Sequence, residues 1–175
     1  ASVADLDRAI ATIIASLRSG GTLYACGNGG SDAHAGHLVA ELVGCFAYDR
    51  PPLRAVHLSS GGPVGSCIAN DYGWEQVFAR QVDALCRGRD VLVVFTTSGR
   101  SRNVRLAMDV ARLATAGIVA FTGPEGTAWP EATWNDPDGH FGVRSTATTT
   151  PAIQEQHQAW VHEVARRVEA EMCPR

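Results

Sequence analysis

Short apolar segments rich in β-branched and aromatic residues alternate along this chain with longer segments of helical periodicity. The apolar segments are TLYACG (22–27), LRAVHLS (53–59), VLVVFTT (91–97), IVAFTG (118–123) and the weaker HFGVRS (140–145). The helical segments are AGHLVAELVGCF, GWEQVFARQVDALC, NVRLAMDVARLATAG and AIQEQHQAWVHEVARRVEAEM. Repeated strand–helix–strand order predicts an α/β fold in which helices cover both faces of a parallel sheet.

The length and charge of the chain limit its organisation and its partners. A chain of 175 residues with 45% hydrophobic residues suits a single domain over residues 1–175. The net charge of −3 argues against nucleic acid or an anionic membrane as a partner. Because no apolar run approaches the roughly 18 residues of a membrane span and the N-terminus lacks the layout of a secretory signal, we expect a cytoplasmic protein.

The basic residues of the chain exclude several kinds of catalysis. All 15 are arginine, and the sequence contains no lysine. Schiff-base aldolases, pyridoxal enzymes and Walker-type phosphate loops each require a lysine amine. Sugar chemistry in this chain would therefore depend on proton transfer or on a metal ion.

Two loops at the ends of predicted strands have the composition of a ligand site. GNGGSDA follows the first strand, and TTSGRSRN (96–103) follows the third. The first loop does not match the dinucleotide fingerprint, because Asp32 stands where the third glycine belongs. Glycines, hydroxyl groups and helix N-termini together favour a phosphate monoester, although ordinary turn and N-cap chemistry would explain either loop alone.

Two helical segments carry polar side chains that would converge on one point. His37 and Glu41 are four residues apart and share a helix face, while Gln154 and His162 are about 80° apart around the last helix. Imidazole and carboxylate groups are zinc-type ligands with acid–base capacity. Each residue alone is also explained as an ordinary polar group on a helix surface, and the spacing matches no standard zinc motif.

Four segments of the chain together resemble one protein family. CGNGGSDAHAGHLVAELVGCF, IANDYGW, TTSGRSRN and IQEQHQAWVH are similar to the sugar isomerase (SIS) domain and, within it, to the sedoheptulose 7-phosphate isomerase (phosphoheptose isomerase) family. The resemblance extends from about Leu6 to Val168. It implies a flavodoxin-like three-layer sandwich with a central five-stranded parallel sheet, assembled as a homotetramer with active sites at subunit interfaces.

The resemblance also implies a reaction. Members of the family convert D-sedoheptulose 7-phosphate to D-glycero-D-manno-heptose 7-phosphate, or a stereoisomer, through an enediol, as the first step of nucleotide-activated heptose biosynthesis. The implied acid–base pair is Glu41 and His162, and the implied ligands of one zinc per subunit are His37, Glu41, Gln154 and His162. The implied substrate contacts are Asn28, Gly29, Gly30, Ser31, Glu41, Asn70, Asp71, Thr96, Thr97, Ser98, Ser101 and Gln154.

Two departures from the family pattern remove positive charge near the expected phosphosugar site. Cys45 and Ala152 stand where close relatives carry arginine, and Arg100 and Arg102 are candidates for compensation. Two alternatives remain open: a non-catalytic SIS module that binds a phosphosugar or a protein, and an isomerase of another phosphosugar. The presence of both Glu41 and His162 favours an enzyme.

Overall fold

Five parallel strands form the sheet of the computed structural model, which describes residues 3–59, 61–126 and 139–175. The strands are β1 (Leu23–Cys26), β2 (Ala55–His57), β3 (Val91–Thr96), β4 (Gly117–Thr122) and β5 (His140–Arg144). Their order across the sheet is β2-β1-β3-β4-β5, and every neighbouring pair is parallel. This is the flavodoxin-like order, and it confirms the predicted fold class.

Six α-helices accompany the strands in the described residues. They are α1 (Val3–Arg18), α2 (Gly30–Val43), α3 (Gly62–Tyr72), α4 (Ala79–Leu85), α5 (Arg102–Leu113) and α6 (Thr150–Met172), with a 3-10 turn at Trp74–Gln76. The sequence patterns predict α2, α4, α5 and α6, while α1 and α3 are additional. None of these helices combines the length and the apolar character that a membrane span needs.

The three inner strands, β1, β3 and β4, are buried on both faces, which explains why they read as nearly continuous apolar segments. In β3, Val91, Val93 and Phe95 pack into the core beneath α1, α2 and α6. Leu92 and Val94 point to the opposite face and pack beneath α4 and α5. The prediction of one domain over residues 1–175 includes residues 1–2, 60 and 127–138, which lie outside the described residues, and it stays a prediction.

The loops after β1 and β3 lie side by side because these two strands are paired. The first loop enters α2 through Gly29, whose φ of 57° favours glycine. Its neighbour Gly27 approaches the next turn closely, since a Cβ atom built there would be 2.6 Å from the backbone carbonyl of Ser31. The carboxyl ends of the two central strands therefore present both loops at one edge of the sheet.

Candidate active site

A pair of asparagine side chains ties the two loops together. Asn28 Nδ2 donates to Asn103 Oδ1 at 2.9 Å, and Asn103 Nδ2 donates to Asn28 Oδ1 at 2.8 Å. Asn103 is buried in the first turn of α5. Sequence reasoning found Asn28 and missed Asn103, whose role depends on a partner 75 residues away.

The hydroxyl groups of the second loop have different roles. Thr96 is buried, and its Oγ1 accepts a hydrogen bond from the amide of Gly99 at 3.1 Å, so it shapes the turn. Ser98 Oγ accepts from the amide of Arg100 at 3.3 Å. Ser101 occupies the N-cap position of α5, where its side chain makes no capping hydrogen bond. Thr96 thus orders a turn that leaves Thr97 and Ser98 at the surface of the site.

A cleft of about 200 Å³ opens beside this loop. Its lining is Thr97, Ser98, Arg100, Pro124, Glu125, Thr148, Thr150 and Ile153. Arg100 Nη2 lies 2.6 Å from Glu125 Oε2, and both side chains are largely exposed. Exposed ion pairs contribute little to stability, so Arg100 can exchange Glu125 for an anion in the cleft at low cost.

Gln154 of α6 lies directly against the first loop, GNGGSDA (27–33), which we call the glycine loop. A Cβ atom built on Gly30 would be 2.2 Å from Gln154 Nε2, so a side chain at this position would displace the glutamine. Ser31 follows and is buried in the first turn of α2. The structure therefore brings together three of the predicted contact residues, Gly30, Ser31 and Gln154.

A chain of four side chains connects α2 and α6. His37 Nε2 lies 2.9 Å from Glu41 Oε1, and Gln158 Nε2 lies 2.9 Å from both His37 Nδ1 and His162 Nε2. One consistent set of protons has the Gln158 amide donating to both rings and His37 Nε2 donating to the carboxylate. The predicted residues His37, Glu41 and His162 are thus linked, and Gln158 between the rings was not predicted.

The signal that marks Gln158 is its spacing. Gln154, Gln158 and His162 recur every four residues, which places them along one face of α6. The rings of His37 and His162 are 5.2 Å apart between centroids. Gln154 occupies the same stripe two turns before His162, next to Gly30.

The predicted zinc ligands have suitable donor chemistry. Zinc binds neutral imidazole nitrogen and carboxylate oxygen, both of which His37, Glu41 and His162 supply. In the described residues, however, no group of three or more histidine, cysteine, aspartate or glutamate side chains is arranged to hold a metal ion. Here the ring nitrogens bind Glu41 and Gln158 instead, so the zinc site stays a prediction.

Asn70 and Asp71, two of the predicted substrate contacts, lie at the exposed C-terminal end of α3. Asn70 Nδ2 donates to Asp71 Oδ1 at 2.7 Å, and Cys67 Sγ lies 3.5 Å from Asp71 Oδ2. These contacts within α3 do not join the pair to the two loops. Their role as substrate contacts stays a prediction.

Three other histidines border the glycine loop. His34 is half-buried, and its Nδ1 donates to the carbonyl of Gly30 at 2.6 Å. His157 is buried behind it and donates from Nε2 to the carbonyl of Thr122 at 3.3 Å. Burial lowers the pKa of His157 to about 4, so its ring is neutral at physiological pH. His57 bonds to Asp32 at 2.8 Å.

Comparisons with known proteins agree with this geometry. The SIS domain family model matches residues 2–123. The phosphoheptose isomerase of Rhodospirillum rubrum is 39% identical over 165 residues, which cover 94% of this chain and 85% of that protein. The phosphoheptose isomerase of Bordetella avium is 40% identical over 162 residues, 93% of this chain and 81% of that protein.

Solved structures give the same result. A phosphoheptose isomerase from Francisella tularensis superposes with a TM-score of 0.88 at 32% identity, covering 95% of this chain and 85% of that one. A phosphoheptose isomerase from Neisseria gonorrhoeae superposes with a TM-score of 0.85 at 33% identity, covering 96% of this chain and 86% of that one. The chain is therefore similar to these proteins over nearly its whole length.

Proposed function

This chain belongs to the phosphoheptose isomerase family of SIS-domain proteins, and we propose that it converts D-sedoheptulose 7-phosphate to D-glycero-D-manno-heptose 7-phosphate, or a stereoisomer of it, through an enediol. It is a phosphosugar isomerase of heptose biosynthesis. Removal of a proton from C1 of the ketose and protonation of the carbonyl oxygen give the enediol. Loss of the O1 proton and return of a proton to C2 then give the aldose, so the reaction needs no external oxidant or reductant.

The observation that carries this proposal is the chain Glu41–His37–Gln158–His162 beside the glycine loop. Glu41 is the base that takes the C1 proton and returns it at C2. His37, whose Nε2 lies 2.9 Å from Glu41 Oε1, orients that carboxylate. His162 moves protons at the two oxygens, and Gln158 fixes its ring through the contact at 2.9 Å.

The phosphate group would bind at the second loop. Thr97 and Ser98 line the cleft beside the N-terminus of α5, where helix amides attract an anion. Arg100 lies in the same cleft and adds the positive charge that Cys45 and Ala152 do not supply. With the phosphate there, Asn28, Gly29, Gly30, Ser31 and Gln154 would contact the sugar hydroxyls near α2.

We propose that His37, Glu41, Gln154 and His162 hold one zinc ion per subunit. Their nitrogen and oxygen donors suit this metal, and α2 and α6 already bring two imidazoles and the carboxylate to one place. When bound, zinc supplies a Lewis acid that polarises a carbonyl group. Zinc binding would require Gln158 to release His162 Nε2 and the hydrogen bond between His37 and Glu41 to open. The zinc site is therefore an alternative to the metal-free arrangement above, in which His37 orients Glu41 and Gln158 fixes the ring of His162.

We also propose a homotetramer with active sites at subunit interfaces. Val64, Tyr72 and Trp74, in α3 and the turn after it, are 59%, 53% and 52% exposed, and a group of exposed apolar side chains is typical of an interaction surface. A neighbouring subunit packed on this surface would also cover Asn70 and Asp71. Such packing would explain how the exposed end of α3 contributes to a substrate site. The cytoplasmic location stays a prediction.

Incubation of the purified protein with sedoheptulose 7-phosphate tests the proposal. The protein is assayed after chelation and again after zinc is restored, and the aldose is followed by NMR. We expect heptose 7-phosphate to form at a rate that zinc restores. Turnover that chelation leaves unchanged would show that the reaction does not require zinc. Absence of product in both samples would favour a non-catalytic phosphosugar-binding module.

A further inference from the structure

A buried carboxylate in α6 organises the segment that follows α2. Glu169 Oε1 lies 3.1 Å from Arg50 Nε, and the two side chains are only 1% and 2% exposed. The same carboxylate accepts hydrogen bonds from the amides of Phe46 and Ala47, each at 2.8 Å. We call Glu169, Arg50, Phe46 and Ala47 the Glu169 clamp.

One arm of the Glu169 clamp reaches the helical turn that carries Glu41. Arg50 Nη2 donates to the carbonyl of Glu41 at 2.7 Å, and Arg50 Nη1 donates to the carbonyl of Leu42 at 2.8 Å. These carbonyls lie in the last turn of α2, where the backbone carbonyl groups have no N–H donor within the helix. Arg50 therefore caps the backbone from which the Glu41 side chain extends.

The other arm reaches His162. The ring of Phe46, whose amide Glu169 holds, lies 5.8 Å from the ring of His162 between centroids. His162 and Glu169 are seven residues apart in α6, so they share one face of that helix. One carboxylate thus fixes groups in contact with both members of the acid–base pair.

Stability alone does not account for such an arrangement. Desolvation of two charges costs several kcal/mol, and a well-packed apolar pair often serves a fold equally well. Here, burial opposes ionisation of Glu169, but the amides of Phe46 and Ala47 and the Arg50 guanidinium outweigh it and lower its pKa. The carboxylate remains charged, and its oxygens are directed at groups that lead to the site.

We propose that the Glu169 clamp positions Glu41 and His162 relative to each other for proton transfer. Glu169, Arg50 and Phe46 are positioning residues, since each acts through Glu41 or His162. This proposal rests on the function proposed above. Its expected signature is a loss of turnover without a loss of substrate binding, because the loops that contact the phosphate and the sugar lie elsewhere.

The test compares Glu169→Gln with Glu171→Gln. Glu171 is also in α6 and makes an exposed ion pair with Arg18 at 2.7 Å, away from the acid–base pair. With sedoheptulose 7-phosphate, we expect Glu169→Gln to lower kcat about 100-fold with KM nearly unchanged, the effect of a small misplacement of reacting groups. Glu171→Gln should retain the kinetics of the wild type.

A second variant tests the proposal even if Glu169→Gln does not fold. Phe46→Leu keeps the backbone amide that Glu169 holds and removes only the ring against His162. It should retain the wild-type circular dichroism and lower kcat about 10-fold, a part of the contribution of a general acid or base. Wild-type kcat in folded Glu169→Gln and Phe46→Leu would overturn the proposal.

A readout independent of turnover separates this proposal from the proposed function. The NMR shift of the His162 Cε1 proton, measured at one pH, reports the nearby Phe46 ring. We expect this shift to change in Glu169→Gln and to remain unchanged in Glu171→Gln. An inactive wild type would refute the proposed function, whereas an unchanged His162 shift in Glu169→Gln would refute the clamp.

Discussion

The carboxylate of Glu41 lies 2.9 Å from Nε2 of His37, one turn earlier on α2. This contact orients the carboxylate while leaving its second oxygen available to a substrate proton. Gln158 continues the connection to His162 on α6. The acid–base pair is therefore held by groups from two helices that pack against each other.

Replacement of Glu41 by glutamine tests its role as the base. Glu41→Gln preserves shape and the contact with His37 but removes the proton acceptor. We expect kcat to fall about 1,000-fold, within the range of general base catalysis, with sedoheptulose 7-phosphate still bound. Kinetics and isothermal calorimetry provide the measurement, and retained turnover would remove Glu41 from the mechanism.

Gln158 should matter for turnover although it is not an acid or a base. Gln158→Leu removes the amide that holds both imidazole rings, so we expect kcat to fall about 10-fold through loss of orientation. Glu155→Gln, an exposed change in the same helix, is the control. Equal kcat values for the two variants, measured by NMR of the aldose product, would show that the amide has no orienting role.

Replacement by alanine should have different effects at two glycines, loss of activity at one and loss of stability at the other. At Gly30 the obstacle is the movable end of Gln154, so Gly30→Ala should fold normally and lose activity as the glutamine moves away. At Gly123 a Cβ atom would lie 2.1 Å from the backbone carbonyl of Thr97, so Gly123→Ala should lose about 3 kcal/mol of stability. Urea unfolding and kinetics separate the cases. Equal loss of stability in both variants would contradict this account.

The buried His157 predicts a pH dependence of stability. Burial lowers its pKa from 6.5 to about 4, so the unfolded chain binds a proton that the folded chain does not between these values. Stability should therefore fall as the pH drops below 6.5, by about 2 kcal/mol between pH 7 and pH 5, and level off below pH 4.

A variant without the imidazole isolates this effect. The free energy of unfolding of His157→Phe, measured in urea, should lack this pH dependence. Between pH 7 and pH 5 it should fall by about 2 kcal/mol less than that of the wild type. The phenylalanine ring suits the surroundings, since Phe95 and Trp160 lie 5.8 Å and 5.5 Å from His157 between centroids. The same pH dependence in both proteins would assign it to other groups.

Most of the sheet was predictable because β1, β3 and β4 are buried on both faces and read as apolar segments. The prediction even includes β2, which has only three residues at the edge. By contrast, α3 carries Gly62, Pro63 and Gly65, which in sequence indicate a loop. Proline is favourable at the start of a helix, and here it stands in the first turn.

The site was predictable only where its signals are local. The i, i+4 spacing of His37 and Glu41 places them on one face, and the structure confirms their contact. Arg50 and Glu169 are 119 residues apart and meet only when α6 packs on α2. No local sequence pattern indicates such a pair, so the three-dimensional structure was needed to identify its link to the acid–base residues.

Incorporation of deuterium tests the central claim most directly. Wild-type protein and Glu41→Gln are incubated with sedoheptulose 7-phosphate in D2O, and the heptose product is analysed by NMR. An enediol route through Glu41 predicts that the wild type forms aldose with deuterium at C2 and that Glu41→Gln forms almost no deuterated aldose. Product that carries only protium at C2 would indicate direct transfer without exchange from the base, and equal deuterium incorporation by both proteins would contradict the role of Glu41.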